Sequence, residues 1–306
     1  MNDFFVLLFS RYEQQIKIRN YSSRTRASQA GYLRLVSRYL ETQKIVDVQA
    51  ITAAVLNDFQ HWLFYEPTHR GTARSVASQN QVLVVIKSLF RFLTEEGFLV
   101  KDPAEGLHYA REPQTLPKNV LTPQEARKVI EAPDTMTTLG YRDRAILEVL
   151  YATGIRKSEL LNLTVADVNL EEELLRINQG KGARDRVVPL SKIACSFLET
   201  YIKGIRPELL KNRTSNRLWI SQQARPLGKT TLDCLVGKYA RVAKIKKHVT
   251  PHVWRHTCAT HLLQNKANLR HVQEILGHRS LVTTERYLRL TITDLKEAHH
   301  KYHPRG

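Results

Sequence analysis

Apolar residues return at helical spacing again and again along the first third of the chain. Leu33, Val36, Tyr39 and Leu40 fall on one side, then Val55, Phe59, Trp62 and Leu63, then Val82, Val85, Ile86, Leu89 and Leu93. Steps of three and four residues stack side chains on one face of a 3.6-residue turn, so each set predicts an amphipathic helix. Gly97 follows the last set and predicts its C-terminal stop. Three or more such helices with short connections predict a small bundle over residues 1–110.

The pattern breaks between Asp102 and Lys118, where Pro103, Gly106, Pro113 and Pro117 punctuate a segment that also carries Arg111 and Lys118. This predicts an interdomain linker at residues 111–118 and a second domain over 119–306. "LTPQEA" is a helix start: Thr122 is the N-cap, Pro123 takes the first helical position and Glu125 completes a capping box. "YRDRAILEVLYATG" predicts a helix with Ile146, Leu147, Val149 and Leu150 inside, closed by Gly154. "ELLRINQ" and "RVVPL" predict two strands joined by the turn "GKGARD", and from Lys192 onward the chain returns to helix. The fold class expected is mainly α: a helical bundle joined to a mostly helical domain with a small antiparallel sheet. The sequence carries no internal repeat.

Of the 306 residues, 42% are apolar and 25% charged, proportions of a folding globular chain rather than a disordered or membrane-spanning one. Lys and Arg total 47 against 29 Asp and Glu, a formal charge of +18. An excess of that size predicts a polyanionic partner, nucleic acid before an anionic membrane. The apolar run "FFVLLF", Phe4 to Phe9, is too short for a signal-peptide core and follows Asp3, and no stretch approaches the roughly 20 apolar residues that span a bilayer. Cys195, Cys234 and Cys258 lie far apart without C-x-x-C spacing, which argues against a zinc site and a disulfide framework and fits a reducing cytoplasm.

Candidate chemistry concentrates near the C-terminus. In "TPHVWRHTCATHLL", Thr250 as N-cap and Pro251 after it place His252 and Arg255 three apart on one helical face, where both can address one anion. The opposing set, Val253, Cys258, Ala259, Leu262 and Leu263, reads as core. In "NLRHVQEILGH", Leu269, Val272, Ile275 and Leu276 form a buried stripe and Gly277 ends the helix, so His278 sits at a helix exit. "SLVTTERY" starts a further helix with Ser280 as N-cap and Tyr287 about two turns in. Taken singly, each residue has an ordinary explanation. A tyrosine on a helix is usually packing, a helix-terminal histidine a solvated cap, and an arginine in so basic a chain surface charge.

The ordered set is more specific: Arg156 in "TGIRKSEL", Lys181 in "GKGARDR", His252 and Arg255 in "HVWRH", His278 in "LGH", then Tyr287. In this order and spacing the sequence resembles the tyrosine recombinase (phage integrase) family, most closely its Xer-type members. The resemblance covers nearly the whole chain, since "SSRTRASQAGYLRLVSRYL" resembles the family's SAM-like DNA-gripping domain and "DPAEGL" its linker approach. It implies a core-binding domain at 1–110 and a catalytic domain at 119–306. It also implies that Tyr287 is the nucleophile, that Arg156 and Arg255 clamp the scissile phosphate with His278 in support, and that Lys181 protonates the leaving oxygen. His252 matches the histidine assigned to acid–base work on the attacking hydroxyl, and Glu159 reads as structural support. Trp254, Arg279 and the "LRL" after Tyr287 depart from the usual family pattern without removing any of these groups.

The chemistry of the residues agrees. A phosphodiester transition state spreads negative charge over nonbridging oxygens, which two guanidinium forks suit better than ammonium groups. A phenol with a pKa near 10 needs a base or a positive field to attack at neutral pH. The departing 5′ oxygen needs a proton, which a lysine ammonium can deliver. Energy stored in a tyrosine–phosphate bond removes the need for ATP; the sequence has no phosphate-binding Gly-rich loop and no carboxylate cluster of a two-metal nuclease, so no cofactor and no metal are expected.

The expected partners are double-stranded DNA recombination sites, bound by a homotetramer on two sites or a heterotetramer with a second recombinase, with no membrane involved. Docking of the tail "DLKEAHHKYHPRG" on a neighbouring protomer is implied by resemblance. Lys87 and Arg91, one turn apart, and Arg184 in the hairpin turn are candidate DNA contacts, with solvated surface the competing explanation. Two other functions stay open: a type IB topoisomerase, distinguished by relaxation without paired sites, and a catalytically silent sequence-specific DNA-binding protein.

Overall fold

The computed structural model describes residues 3–68, 71–112, 120–178 and 185–277. The chain divides into two compact units, Met1–Gln114 and Thr115–Gly306.

The first unit is built from α1 (Asp3–Ile18), α2 (Ser23–Thr42), α3 (Ala53–Tyr65) and α4 (Val76–Glu95). The hydroxyls of Ser22, Thr52 and Ser75 cap α2, α3 and α4 by accepting from Thr25, Val55 and Ser78 N–H groups. The stripes predicted on α2 and α4 are buried throughout, from Leu33 to Leu40 and from Val82 to Leu93. On α3 the face is rotated: Leu56, Phe59 and Leu63 are inside, while Val55 and Trp62 are only partly buried. "FFVLLF" belongs to a helix that the apolar-run reading overlooked. Phe5, Leu8, Phe9, Tyr12 and Ile16 repeat at three and four residues along α1 and are buried in the same core. Each such side chain contributes about 2 kcal/mol of burial.

The proline-rich segment after α4 begins inside this unit. Ala104 and Leu107 are buried in its core, and Asn80 on α4 holds Ala110 at both ends: its Nδ2 donates to Ala110 O at 2.9 Å and its Oδ1 accepts from Ala110 N–H at 2.9 Å.

The second unit opens on α5 (Pro123–Glu131), with the reciprocal Thr122–Glu125 capping box in place. At its centre runs α6 (Thr138–Thr153), against which α5 and two later helices pack: α8 (Lys192–Thr200) and α11 (Pro251–Gln264). Surrounded in this way, α6 buries Ala145, Ile146, Leu147, Val149 and Leu150, and truncating Ile146 to Ala would cost about 2–5 kcal/mol. After α7 (Lys157–Asn162) comes an antiparallel sheet in the order β1 (Val168–Asn169), β2 (Leu174–Ile177), β3 (Arg186–Pro189). Val168 lies opposite Leu175 and Leu175 opposite Val188; Ile177 lies opposite Arg186. Leu175, Ile177 and Val188 are buried, so this register sets Arg186 on the inward face of the sheet.

The expectation of helix from Lys192 onward holds through α8, a π turn at Tyr201–Ile205 and α9 (Arg206–Leu210), and then fails until α10 (Lys229–Val242). The intervening run carries three consecutive fully buried residues, Leu218, Trp219 and Ile220, in irregular backbone held by isolated bridges at Thr164–Arg217 and Ile220–Pro226. Its buried carbonyls need donors from elsewhere. Arg206 donates to Ser215, Arg217 and Leu218 oxygens, Tyr201 OH to Leu218 O, and Arg142 Nη1 to Ile220 O. The remaining elements are α11 and α12 (Leu269–Leu276). The predicted helix-ending glycines 97, 154 and 277 all have positive φ, at 77°, 57° and 65°. No helix among the described residues is long and apolar enough to cross a membrane.

Candidate active site

The site is assembled where α6 ends, α7 begins and α12 ends. Asn268 caps α12 by accepting from Arg270 N–H, and Gly277 closes it in the left-handed conformation. A helix C-terminus leaves carbonyls without intrahelical partners and a partial negative charge, and both are answered here by arginines. Ile275 O accepts from Arg186 Nε at 3.0 Å, Leu276 O from Arg255 Nη2 at 2.7 Å, and Gly277 O from Arg156 Nη2 at 2.8 Å. Three guanidiniums from three elements thus meet on three successive carbonyls. Next in sequence is His278.

Glu159, on α7, keeps these cations together. It accepts from Arg156 through the backbone N–H (2.8 Å) and Nη1 (2.7 Å), and from Arg186 through Nη1 (3.1 Å) and Nη2 (2.8 Å). Burial on its own would raise the Glu159 pKa, but the bonds from Arg186 and Arg156 outweigh it and hold the carboxyl at about 2. Glu159 is therefore the structural support that its position after Arg156 suggested. The two arginines differ in access: the Arg156 side chain is 39% exposed and that of Arg186 only 11%. Arg156 can meet an incoming anion, whereas Arg186 is enclosed.

Arg255 departs from the two-faced picture of its helix. Wrapped by α6, α10 and α12, α11 is buried on nearly every side, and Arg255 with it. Its Nη1 donates to Gly154 O at 2.9 Å, so it joins the end of α6 to the end of α12. His252 faces solvent along one edge while its ring is partly enclosed, with its Nε2 2.7 Å from the Nε2 of His256 one turn on. At that separation one ring donates and the other accepts. Burial, then the Arg255 charge, lowers the His252 pKa; burial, then His252 and Arg255, lowers that of His256 to about 4. Trp254 is core, fully buried with its ring edge-on to Tyr151.

Of the residues anticipated from sequence, Arg156 and Arg255 converge, with His252 beside Arg255. Lys181, Arg184, His278 and Tyr287 lie outside the described residues, as do Arg279 and the C-terminal tail. Lys87 and Arg91 belong to the first unit: Lys87 donates to Glu105 O at 3.2 Å and stands over the Tyr109 ring, while Arg91 is exposed. Three residues went unanticipated. Arg186 opens the predicted strand "RVVPL", and alternation sets it on the side of buried Val188, where a charge requires a partner. His256 carries no spacing signal that sets it apart from the other histidines of the chain. His261 donates from Nε2 to Leu121 O at 2.9 Å, which leaves Nδ1 to accept from Tyr151 OH at 2.9 Å; it pins the start of the unit to α11.

Comparison with known proteins follows the same lines. Residues 119–293 match the phage integrase family. The chain is 36% identical over 285 residues to the tyrosine recombinase XerD of Staphylococcus saprophyticus subsp. saprophyticus, covering 93% of this chain and 94% of the relative. It is 33% identical over 302 residues to the tyrosine recombinase XerC 2 of Ralstonia nicotianae, covering 97% and 87%. The crystal structure of XerA recombinase superposes with a TM-score of 0.56 at 28% identity over 98% of this chain and 99% of that one. The XerH site-specific recombinase bound to palindromic difH substrate, in a post-cleavage complex, shares the fold with a TM-score of 0.75 at 24% identity over 92% and 80%. The mainly helical architecture with its small sheet is that of these recombinases, and the chain belongs to the phage integrase family, among the Xer-type tyrosine recombinases.

Proposed function

We propose that this site-specific recombinase cuts and rejoins double-stranded DNA through a covalent 3′-phosphotyrosine on Tyr287. The observation that carries the reading is the meeting of Arg156 and Arg255 on the last carbonyls of α12, immediately before His278. A fixed positive cluster there suits the charge that develops on a scissile phosphate, because its donors are oriented before the reaction begins. Neutral His252 accepts the phenolic proton as Tyr287 Oη bonds to phosphorus. The P–O5′ bond breaks, and Lys181 gives the departing oxygen its proton. Reversal with a second 5′-hydroxyl rejoins the strand, and the bond energy is conserved throughout.

The DNA partner is the recombination site, held in a homotetramer on two sites or a heterotetramer with a second recombinase, and the basic balance of the chain supports the polyanionic ligand. Arg91 and Arg184 are proposed phosphate contacts; Lys87 is proposed as one that must first leave Glu105. The reducing cytoplasm is the proposed compartment, in keeping with three free cysteines.

The test uses two supercoiled plasmids, one bearing a single site and the other a directly repeated pair, the site being selected by the protein from a random-sequence library. Wild type should yield recombinant circles only from the paired plasmid, in EDTA, and Tyr287→Phe should yield none. Relaxation of the single-site plasmid without recombination of the pair would favour a topoisomerase instead.

A further inference from the structure

β3 begins with a side chain that the reaction scheme above does not use. Arg186 spends three donors in one place: Nη1 and Nη2 on the two oxygens of Glu159, at 3.1 and 2.8 Å, and Nε on Ile275 O at 3.0 Å. Only a planar fork can span a carboxylate and a carbonyl together in this manner; an ammonium is a point donor. The space around it is cut to fit. A Cβ at Gly277 would come within 3.0 Å of Arg186 Cζ, Nε and Nη1, and Gly277 has φ +65° as well, so the glycine serves both the helix stop and the passage of the guanidinium. Neither contact is available to a solvated surface arginine, since the side chain is only 11% exposed.

Place in the chain gives this joint its significance. Arg186 pairs across the sheet with Ile177, so the turn that carries Lys181 leaves and returns at the Ile177–Arg186 pair. The same guanidinium grips Glu159, which holds Arg156, and the last turn of α12, which precedes His278. Resting on the functional reading above, we infer that Arg186 is a positioning residue that locks the β2–β3 hairpin to the Arg156–Glu159 pair and the end of α12, and so sets Lys181 for proton delivery to the leaving oxygen. In this scheme Arg186 is given no contact with phosphate or nucleophile. Its effect passes through Lys181.

A change of leaving group separates this role from general scaffolding. When sulfur replaces the bridging 5′ oxygen, the P–S bond breaks to a thiolate, which is far less basic than an alkoxide and leaves without a proton. Single-turnover cleavage is measured on nicked duplexes carrying the selected site with either bridging atom, for wild type, Arg186→Gln, Arg186→Lys and Lys181→Ala. On oxygen DNA, Arg186→Gln should be at least about tenfold slower than wild type with DNA affinity within about twofold, and on sulfur DNA the gap should close to less than about threefold, as for Lys181→Ala. Arg186→Lys, which keeps the charge without the fork, should show the same sulfur-specific recovery and keeps the test decisive if the glutamine variant does not fold. Wild-type rates for these variants on oxygen DNA, or an equal deficit on both substrates, would overturn the inference. If wild type itself forms no adduct on either duplex, the recombinase reading fails first.

Discussion

Glu159 accepts from Arg186 with both carboxylate oxygens while one of those oxygens, Oε1, also holds Arg156 at 2.7 Å. One carboxylate thus fixes two cations that come from different parts of the chain, and its own ionisation becomes a condition of the site. Its folded pKa of about 2 lies below the ordinary 4.5. A depressed carboxyl contributes stability that is present above the unfolded value and lost as pH falls through the folded one. Between pH 4.5 and 2 the loss should amount to about 3 kcal/mol. Chemical denaturation across that window should therefore show a flatter pH dependence for Glu159→Gln than for wild type, at lower stability near neutrality. Equal slopes would remove the ion pair from the acid response.

His252 gives a second pH dependence of opposite chemical meaning. Burial and Arg255 keep its pKa below the usual 6.5, so the neutral base persists into mildly acidic solution. Single-turnover adduct formation should fall on an acid limb below pH 6.5, and His252→Asn should lose that limb together with most of the rate. A limb at or above 6.5 would contradict the environment described for this ring.

Asn80 predicts something about the first unit alone. Removing its amide leaves both Ala110 N–H and Ala110 O without the partners they now have. Asn80→Ala should cost about 1–3 kcal/mol and hasten proteolytic cutting between residues 102 and 112. Unchanged cutting would mean that Ala104 and Leu107, buried in the core, anchor the segment unaided.

For DNA binding, the log–log salt slope should be about −9 if about ten basic groups meet phosphates. Within α4 the two candidates should separate. Arg91 is exposed, whereas Lys87 is committed to Glu105 O and the Tyr109 ring. Arg91→Ala should weaken binding and shallow the slope by about 1, with a smaller effect from Lys87→Ala. Titrations at several salt concentrations check both.

What the sequence disclosed follows from which forces are local. Helical periodicity and caps depend on residues a turn apart, and the stripe on α4, the Thr122–Glu125 box and the three helix-ending glycines were all legible. The ordered resemblance pointed to Arg156, Lys181, His252, Arg255, His278 and Tyr287, and among the described residues Arg156 and Arg255 converge with His252 beside Arg255. What failed was long-range. Arg186 meets Ile275 across 89 positions, a pairing that no spacing rule contains. The irregular run around Trp219 relies on donors from Arg142, Tyr201 and Arg206, which read in sequence as ordinary helix residues. Arg255 turned inward because helices surround α11 on several sides, a property of packing rather than of pattern.

The most direct measurement is to identify the amino acid that holds the DNA. Wild type is incubated in EDTA with a nicked duplex carrying the selected site, the covalent species is isolated under denaturing conditions, digested with protease and nuclease, and the modified peptide is sequenced by mass spectrometry. The expected product is the Tyr287 peptide bearing a 3′-linked nucleotide, absent from Tyr287→Phe. A nucleotide on any other side chain, or an adduct that survives in Tyr287→Phe, would contradict the assignment of the nucleophile.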